Sequence, residues 1–248
     1  MPLTFSHPAI VLPLSYLPKR WVSLTGLIAG SVAPDFEYFF RMKVESIYSH
    51  TWLGLLWFDL PVSLMLVFIY HDVVKAQFIA NLPVALTSRF SQYISFNWNK
   101  YFIKNIPVVT LSIMVGCASH LFWDSFTHAS GYFVILWNMS TPVSLFSVQL
   151  PLYKIIQHLS TLLGGLVIIA AIYKMPTGNL RLKSNKAFYW LTVIGVTCTV
   201  IVFRIWLSLN IHQYWNVLVT AISASIAGVV LASVLVNRFD NFLKVVKS

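Results

Sequence analysis

The sequence predicts an all-α fold, a polytopic transmembrane helical bundle, and three observations carry that prediction. Of the 248 residues, 58% are hydrophobic and only 10% are charged, against about a quarter charged in soluble domains. Five apolar runs are each long enough to cross the ~30 Å hydrocarbon core of a bilayer as a helix. The basic residues gather in a few loops between those runs, as they do on the cytoplasmic side of membrane proteins. The formal charge of +10 therefore reads as topology, and no nucleic-acid partner is expected. The expected partners are membrane lipids.

Residues 1–18 are apolar but broken by Pro8, Pro13 and Pro18, which favours a short interfacial helix or a re-entrant segment over a span. The chain opens without a lysine-rich stretch, so a cleaved signal peptide is not expected. A weaker span follows from Trp21 to Phe40, with Gly26, Gly30 and Pro34 inside it. The five strong spans run from His50 to Val74, Pro107 to His128, Leu150 to Lys174, Ala187 to Leu209 and His212 to Val236. The whole chain, 1–248, reads as one integral membrane domain, with a motif-bearing helical core over 1–175 and a C-terminal transmembrane hairpin over 187–236.

Lys75, Arg89, Lys100 and Lys104 fall in one loop, Lys174, Arg181, Lys183 and Lys186 in another, and Arg238, Lys244 and Lys247 in the tail. Five spans put all three groups on one side, and the positive-inside rule makes that side, with the C-terminus, cytoplasmic. The segment from Ala129 to Pro151 has no basic residue and is expected outside. Arg41, Lys43 and Arg204 dissent. No internal repeat is visible, so a transporter of inverted halves finds no support. Cys117 and Cys198 lie in apolar runs without metal-ligand spacing.

His120, Asp124 and His128 recur every four residues at the end of the second strong span, so they share one helical face. Ionisable groups in a span are costly and usually functional. At ~1.5 Å rise per residue, His120 and Asp124 stand ~6 Å apart along the axis and His120 and His128 ~12 Å apart. Neighbours can share an ion, but an unbroken helix cannot bring all three to it. Other helices must then contribute ligands, or the cluster holds two metals. Imidazole with carboxylate suits zinc, manganese or iron better than magnesium. A buried polar network and a proton relay are the competing readings.

The other polar residues are ambiguous singly. His7 reads as a solvated terminal histidine, Asp35 after Pro34 as a helix cap, and Ser49-His50 as an ordinary helix start. Glu37 is expected to face the aqueous interface. Lys154, His158, Thr161 and Gly165 share an unusually polar face, where a lysine can snorkel, neutralise a phosphate or steady an oxyanion. Asp59, beside Pro61, reads as structural or as support for a ligand. His71, Asp72 and His212 read as unremarkable.

Taken in order, Ser6-His7-Pro8, the run from Ala33 to Phe39 (APDFEYF), Ser49-His50, the run from His120 to His128 (HLFWDSFTH) and the run from Leu150 to His158 (LPLYKIIQH) resemble the bacterial membrane proteins grouped as domain-of-unknown-function family 4184. The resemblance covers about the first 175 residues. That family is similar in turn to the LexA-regulated inner-membrane proteins classed as metal-dependent hydrolases. The shared features there are an early histidine, a P-D pair, an H-S pair opening a span, and H-x-x-x-D followed by a glycine. They correspond to His7, Pro34 with Asp35, His50, His120 with Asp124, and Gly131 in this chain. The chain has Glu37 where those proteins tend to place a further aspartate, and it lacks the H-R-G that often precedes their T-H-S.

The resemblance implies that His7, Asp35, His50, His120 and Asp124 bind a divalent ion, with zinc or manganese before magnesium. It implies that Asp124 and His128 serve the reaction, and that Lys154 and His158 orient the substrate. The implied protein is a hydrolase of the bacterial inner membrane acting at the outer interface on a lipid-like or phosphoester substrate. The alternative is a non-enzymatic membrane protein, a proton or metal relay or a helical scaffold, using the same polar cluster.

Overall fold

Residues 4–145, 148–178, 182–207 and 209–246 are described by the computed structural model; Arg181 and Lys247, counted above for orientation, lie outside them. The chain is 75% helical. In order, the helices are α1 (Pro8–Val11), α2 (Leu24–Val32), α3 (Phe36–Arg41), α4 (Leu55–Asn81), α5 (Val84–Phe90), α6 (Trp98–Lys104), α7 (Ile106–Thr127), α8 (Tyr132–Leu136), α9 (Leu152–Tyr173), α10 (Lys186–Trp206) and α11 (Tyr214–Val246). A short antiparallel pair, β1 (Pro142–Leu145) and β2 (Val148–Pro151), sets Val143 opposite Leu150. Five helices are long and apolar enough to cross a membrane: Leu55–Asn81, Ile106–Leu136, Leu152–Tyr173, Lys186–Trp206 and Tyr214–Arg238. They fall on the five apolar runs, because without water a span must satisfy its backbone locally. The first begins later than expected, at Leu55, and reaches Asn81 instead of Val74.

The weak span from Trp21 to Phe40 is not one helix. Pro34 has no N–H to continue the α2 ladder, so α2 stops at Val32 and Ala33–Asp35 tighten into a 3-10 turn before α3. Helix α4 has two wider π-turns, Leu55–Asp59 and Ile69–Val74. At the first, the Leu60 N–H donates to the Leu55 carbonyl, just ahead of Pro61, which has no donor.

The chain divides into two compact units: residues 1–36, 47–64 and 102–174, and residues 37–46, 65–101 and 175–248. In the first, α2 and α7 touch backbone to backbone. A Cβ added to Gly30 would stand 2.1 Å from the Ile113 carbonyl oxygen, and one on Gly116 would stand 2.4 Å from that of Leu27. Small residues of this kind let membrane helices approach closely. Ser23 pins the start of α2: its Oγ accepts from the Gly26 N–H (3.3 Å) and its own N–H donates to Ser112 Oγ (2.8 Å). The turn Thr4–Ser6 rests on α9, where a Cβ on Gly164 would lie 2.9 Å from the Ser6 carbonyl oxygen. Gly165, which the sequence placed on the polar face, has nothing within 4 Å. Lys19 and Arg20 are exposed, and Arg20 lies over the Trp21 ring.

In the second unit α10 and α11 pack through Tyr189, Val193, Ala232 and Val236, with Tyr189 Oη 3.1 Å from Ser233 Oγ. The three dissenting basic residues all have partners here. Arg41 pairs with Glu37 at 2.8 Å, Lys43 with Glu45 at 2.6 Å, and Arg204 Nη2 donates to the Met42 carbonyl at 3.2 Å. Glu37, expected at the aqueous interface, is buried. Arg41 one turn on and Ser46 Oγ, 3.2 Å away, supply the charge and the donor that burial demands.

Candidate metal centre

The site grows from the α2–α7 contact in the first unit. Gly116 sits one turn before His120, so the close approach that it permits carries His120 onto the end of α2. There His120 Nδ1 lies 2.8 Å from the Ser31 carbonyl oxygen. A carbonyl only accepts, so Nδ1 donates to it and Nε2 is the nitrogen turned to the cluster. Nε2 lies 3.6 Å from Asp35 Oδ1 and 3.3 Å from Asp124 Oδ2. Asp35, in the turn that Pro34 forces, is fixed from behind by Thr4 Oγ1, which donates to Oδ2 at 2.5 Å. His50, in the loop entering α4, has Nδ1 2.9 Å from Ser49 Oγ. Its Nε2 lies 3.5 Å from Asp35 Oδ1 and 3.5 Å from Asp124 Oδ2.

Two imidazole nitrogens and two carboxylate oxygens thus alternate around a ring whose four edges are 3.3–3.6 Å long. Those edges exceed the 2.7–3.2 Å or so of an N–H···O hydrogen bond. They match a coordination shell, because two ligands each ~2.1 Å from a tetrahedral ion stand ~3.4 Å apart. Asp35, His120 and Asp124 are almost wholly inaccessible. Among the described residues, His120 Nε2, Asp35 Oδ1, Asp124 Oδ2 and both His7 ring nitrogens are buried without a hydrogen bond. Groups of that kind are rare in native interiors and call for an unseen partner. The residues therefore fit a divalent ion, and a nitrogen-and-oxygen donor set suits zinc or manganese.

The remaining expected residues divide. His7, just ahead of α1, puts Nε2 3.6 Å from Asp124 Oδ1 and stacks on the His120 ring, with centroids 3.8 Å apart. The first segment thus brings His7 into the cluster, where the sequence alone reads it as a solvated terminal histidine. His128 joins by a route that the straight stripe did not include. Helix α7 ends at Thr127, His128 turns extended (φ −117°, ψ 144°), and its Nδ1 comes to 3.4 Å from Asp124 Oδ1. Gly131 closes that turn, where a Cβ would meet the Ser125 carbonyl oxygen at 2.5 Å. Lys154 is half-buried and donates to Gln157 Oε1 (3.2 Å), whose Nε2 donates to the Thr127 carbonyl (3.1 Å). His158 is exposed, and no contact with the cluster is found among the described residues. Asp59 is buried at the head of α4, with Ser63 Oγ on its carbonyl at 2.7 Å.

Thr4, Ser31 and Gln157 were not foreseen. Ser31 acts through its carbonyl, which no side-chain pattern announces, and Gln157 offered only its place one turn from Lys154. Removing the Thr4 hydroxyl with Thr4→Val is expected to weaken metal binding about 10–100-fold while leaving the helix content unchanged. Equilibrium dialysis beside circular dichroism checks both halves of that expectation.

Charge in the metal-free cluster is balanced by protons. Burial, reinforced by the neighbouring His120, pushes the His7 imidazole down to about 3. Burial would also lower His50, but the Asp124 and Asp35 carboxylates close beside it outweigh that and push it up to about 9. Burial opposes the Asp35 carboxylate, yet His120, His50 and His7 hold it below the usual range. The His50 proton stabilises the metal-free fold fully below pH 6.5, and that contribution fades as pH rises through about 9. An incoming ion must displace the same proton. Manganese affinity is therefore expected to rise about tenfold per pH unit from neutrality and to level off once His50 is neutral, which calorimetric titration across that range measures.

The family model described as Domain of unknown function (DUF4184) matches residues 1–234. No curated protein and no solved structure matches the chain.

Proposed function

We propose that this chain, which belongs to the DUF4184 family, is a membrane-embedded metal-dependent hydrolase acting on a lipid-like or phosphoester substrate at the outer interface. The observation that carries the reading is the alternating ring of His50, Asp35, His120 and Asp124, with its back sides held by Ser49, Thr4 and the Ser31 carbonyl. Those four residues would hold the ion. A bound divalent ion supplies a Lewis acid and acidifies a water towards neutral pH.

The chain's own groups supply the rest. His7, stacked on the His120 ring and beside Asp124, steadies both ligands within the buried cluster. His128, whose side chain is 26% exposed, passes protons between the cluster and the surface. Lys154, tethered through Gln157 to the end of α7, neutralises a substrate phosphate. The cluster lies at the end of α7 and the heads of α4 and α9, and Trp52 and Leu53 stand exposed just after His50. An amphiphilic substrate fits that level of a membrane. The distribution of lysine and arginine supports a bacterial inner-membrane location with the site outside and the C-terminus cytoplasmic. A helical scaffold would pair its polar atoms one to one, whereas the buried atoms named above make no hydrogen bond.

The test uses the full chain, purified without chelator into detergent or nanodiscs and assayed on a short-chain phosphatidylcholine. Hydrolysis that is lost on chelation and restored by zinc or manganese is expected. Protein that carries no divalent metal and takes none up would overturn the reading.

A further inference from the structure

Arg41, Lys43 and Arg204 run against the charge rule that orients the other spans, and the first two are answered by carboxylates. Arg41 pairs with Glu37 and Lys43 with Glu45. Arg204 makes no ion pair among the described residues, and the sequence from Met175 to Phe239 contains no acidic residue. It stands in the last turn of α10, at the end opposite Lys186. A guanidinium carries five N–H donors. Among the described residues Arg204 uses one of them, from Nη2 to the Met42 carbonyl at 3.2 Å, while Nε is buried without a hydrogen bond. The bond to Met42 fixes the lie of the side chain but leaves its charge unanswered. The helix dipole favours a cation in a last turn, yet that effect is small where water and salt reach it.

The surroundings point to the missing partner. Trp206, and Tyr214 and Trp215 at the head of α11, are exposed at the same end of the hairpin, with the Phe203 and Trp206 rings 5.8 Å apart. Tryptophan and tyrosine gather at the headgroup level of a bilayer, which is where phosphodiesters lie. Arg204 is only half-buried, so part of the guanidinium faces that level. Its planar fork matches two phosphate oxygens at once, as an ammonium does not.

We infer that Arg204 holds the phosphate of an anionic phospholipid at this end of the α10–α11 hairpin. The site is built within the second unit, from residues that take no part in the metal centre. Charge selects the headgroup. The cations beside Met42 are already neutralised by Glu37 and Glu45, so Arg204 is left with one positive charge to match. A headgroup with one net negative charge matches it. A zwitterionic headgroup brings its own ammonium to compete for the same phosphate.

Native mass spectrometry of the full chain, released from detergent after addition of phosphatidylglycerol or phosphatidylcholine, tests this by the lipid that each chain retains. The unaltered protein is expected to retain phosphatidylglycerol in preference to phosphatidylcholine. Arg204→Gln should weaken that retention about tenfold or more, the worth of a hydrogen bond to a charged group. Arg204→Lys keeps the charge but loses the fork, and should fall between the two. Arg20→Gln removes an equal charge from an exposed residue of the other unit and should retain lipid like the unaltered chain. Equal retention of the two lipids would overturn the inference, as would a loss in Arg20→Gln as large as that in Arg204→Gln. Displacement of phosphatidylglycerol by inorganic phosphate would assign the position to free phosphate and overturn the lipid. If Arg204→Gln fails to fold, the headgroup preference of the unaltered chain and the Arg204→Lys variant decide the question.

Discussion

Replacing Asp124 with alanine is expected to strip the purified protein of its divalent metal. It touches four histidines of the cluster: its two oxygens lie 3.3–3.6 Å from His120, His50, His7 and His128. Removing it takes away a ligand, and with it half of the carboxylate charge that makes a cation welcome among four imidazoles. The loss should exceed the about 10–100-fold that an outer hydrogen-bond partner is worth. Asp124→Asn separates charge from shape, since the amide keeps the volume and one oxygen. It too is expected to fall far below wild-type occupancy, with its helix content intact by circular dichroism. Elemental analysis of the two variants beside the unaltered chain reads the result. Wild-type metal in both would place the ion elsewhere in the protein.

The helical stripe was legible because it is local. His120 and Asp124 one turn apart in an apolar run cost too much to be accidental, and the structure has both in one cluster. The five spans were legible for a related reason: a membrane makes run length nearly sufficient. Asp35, His50 and His7 lie far apart in the chain, and each sits where a cap or a terminus would ordinarily explain it. Only their order, read as a family resemblance, drew them together. The partners that orient them left no trace in any pattern. The Ser31 carbonyl belongs to the backbone, and Thr4 finds Asp35 across 31 residues of separation. His128 was placed on the stripe by assuming that the helix continued, whereas α7 stops at Thr127 and the histidine folds back. Glu37 reads from the sequence as facing water because a helix points it away from Asp35, whereas Arg41 one turn on and Ser46 in the loop beyond supply its partners in the interior. The hairpin of β1 and β2 escaped notice because strands this short carry no alternation to read.

A single methyl group at Gly30, which ligates nothing, is expected to disable the same site. The Cβ of Gly30→Ala would stand 2.1 Å from the Ile113 carbonyl oxygen and 3.0 Å from the Cys117 backbone nitrogen. Both are backbone atoms of α7, so no side chain can rotate aside and α2 must move bodily outward. Overpacking of this kind costs about 1–3 kcal/mol, and the thermal midpoint of the detergent-solubilised protein should fall accordingly. The consequence for metal is sharper. The 2.8 Å contact between His120 Nδ1 and the Ser31 carbonyl spans the same interface, and Asp35 follows at the end of the displaced helix. Parting the helices releases the His120 ring and draws one carboxylate away from the other three ligands. Metal occupancy is therefore expected to drop together with the melting temperature. Gly165→Ala is the control, since its Cβ has nothing within 4 Å. On an open helical face that change removes backbone freedom from the unfolded chain and should be neutral or stabilising by under about 1 kcal/mol. A Gly30→Ala protein that melts and binds metal like the unaltered chain would mean that α2 and α7 do not meet backbone to backbone. The positioning of His120 by Ser31 would then fail with it.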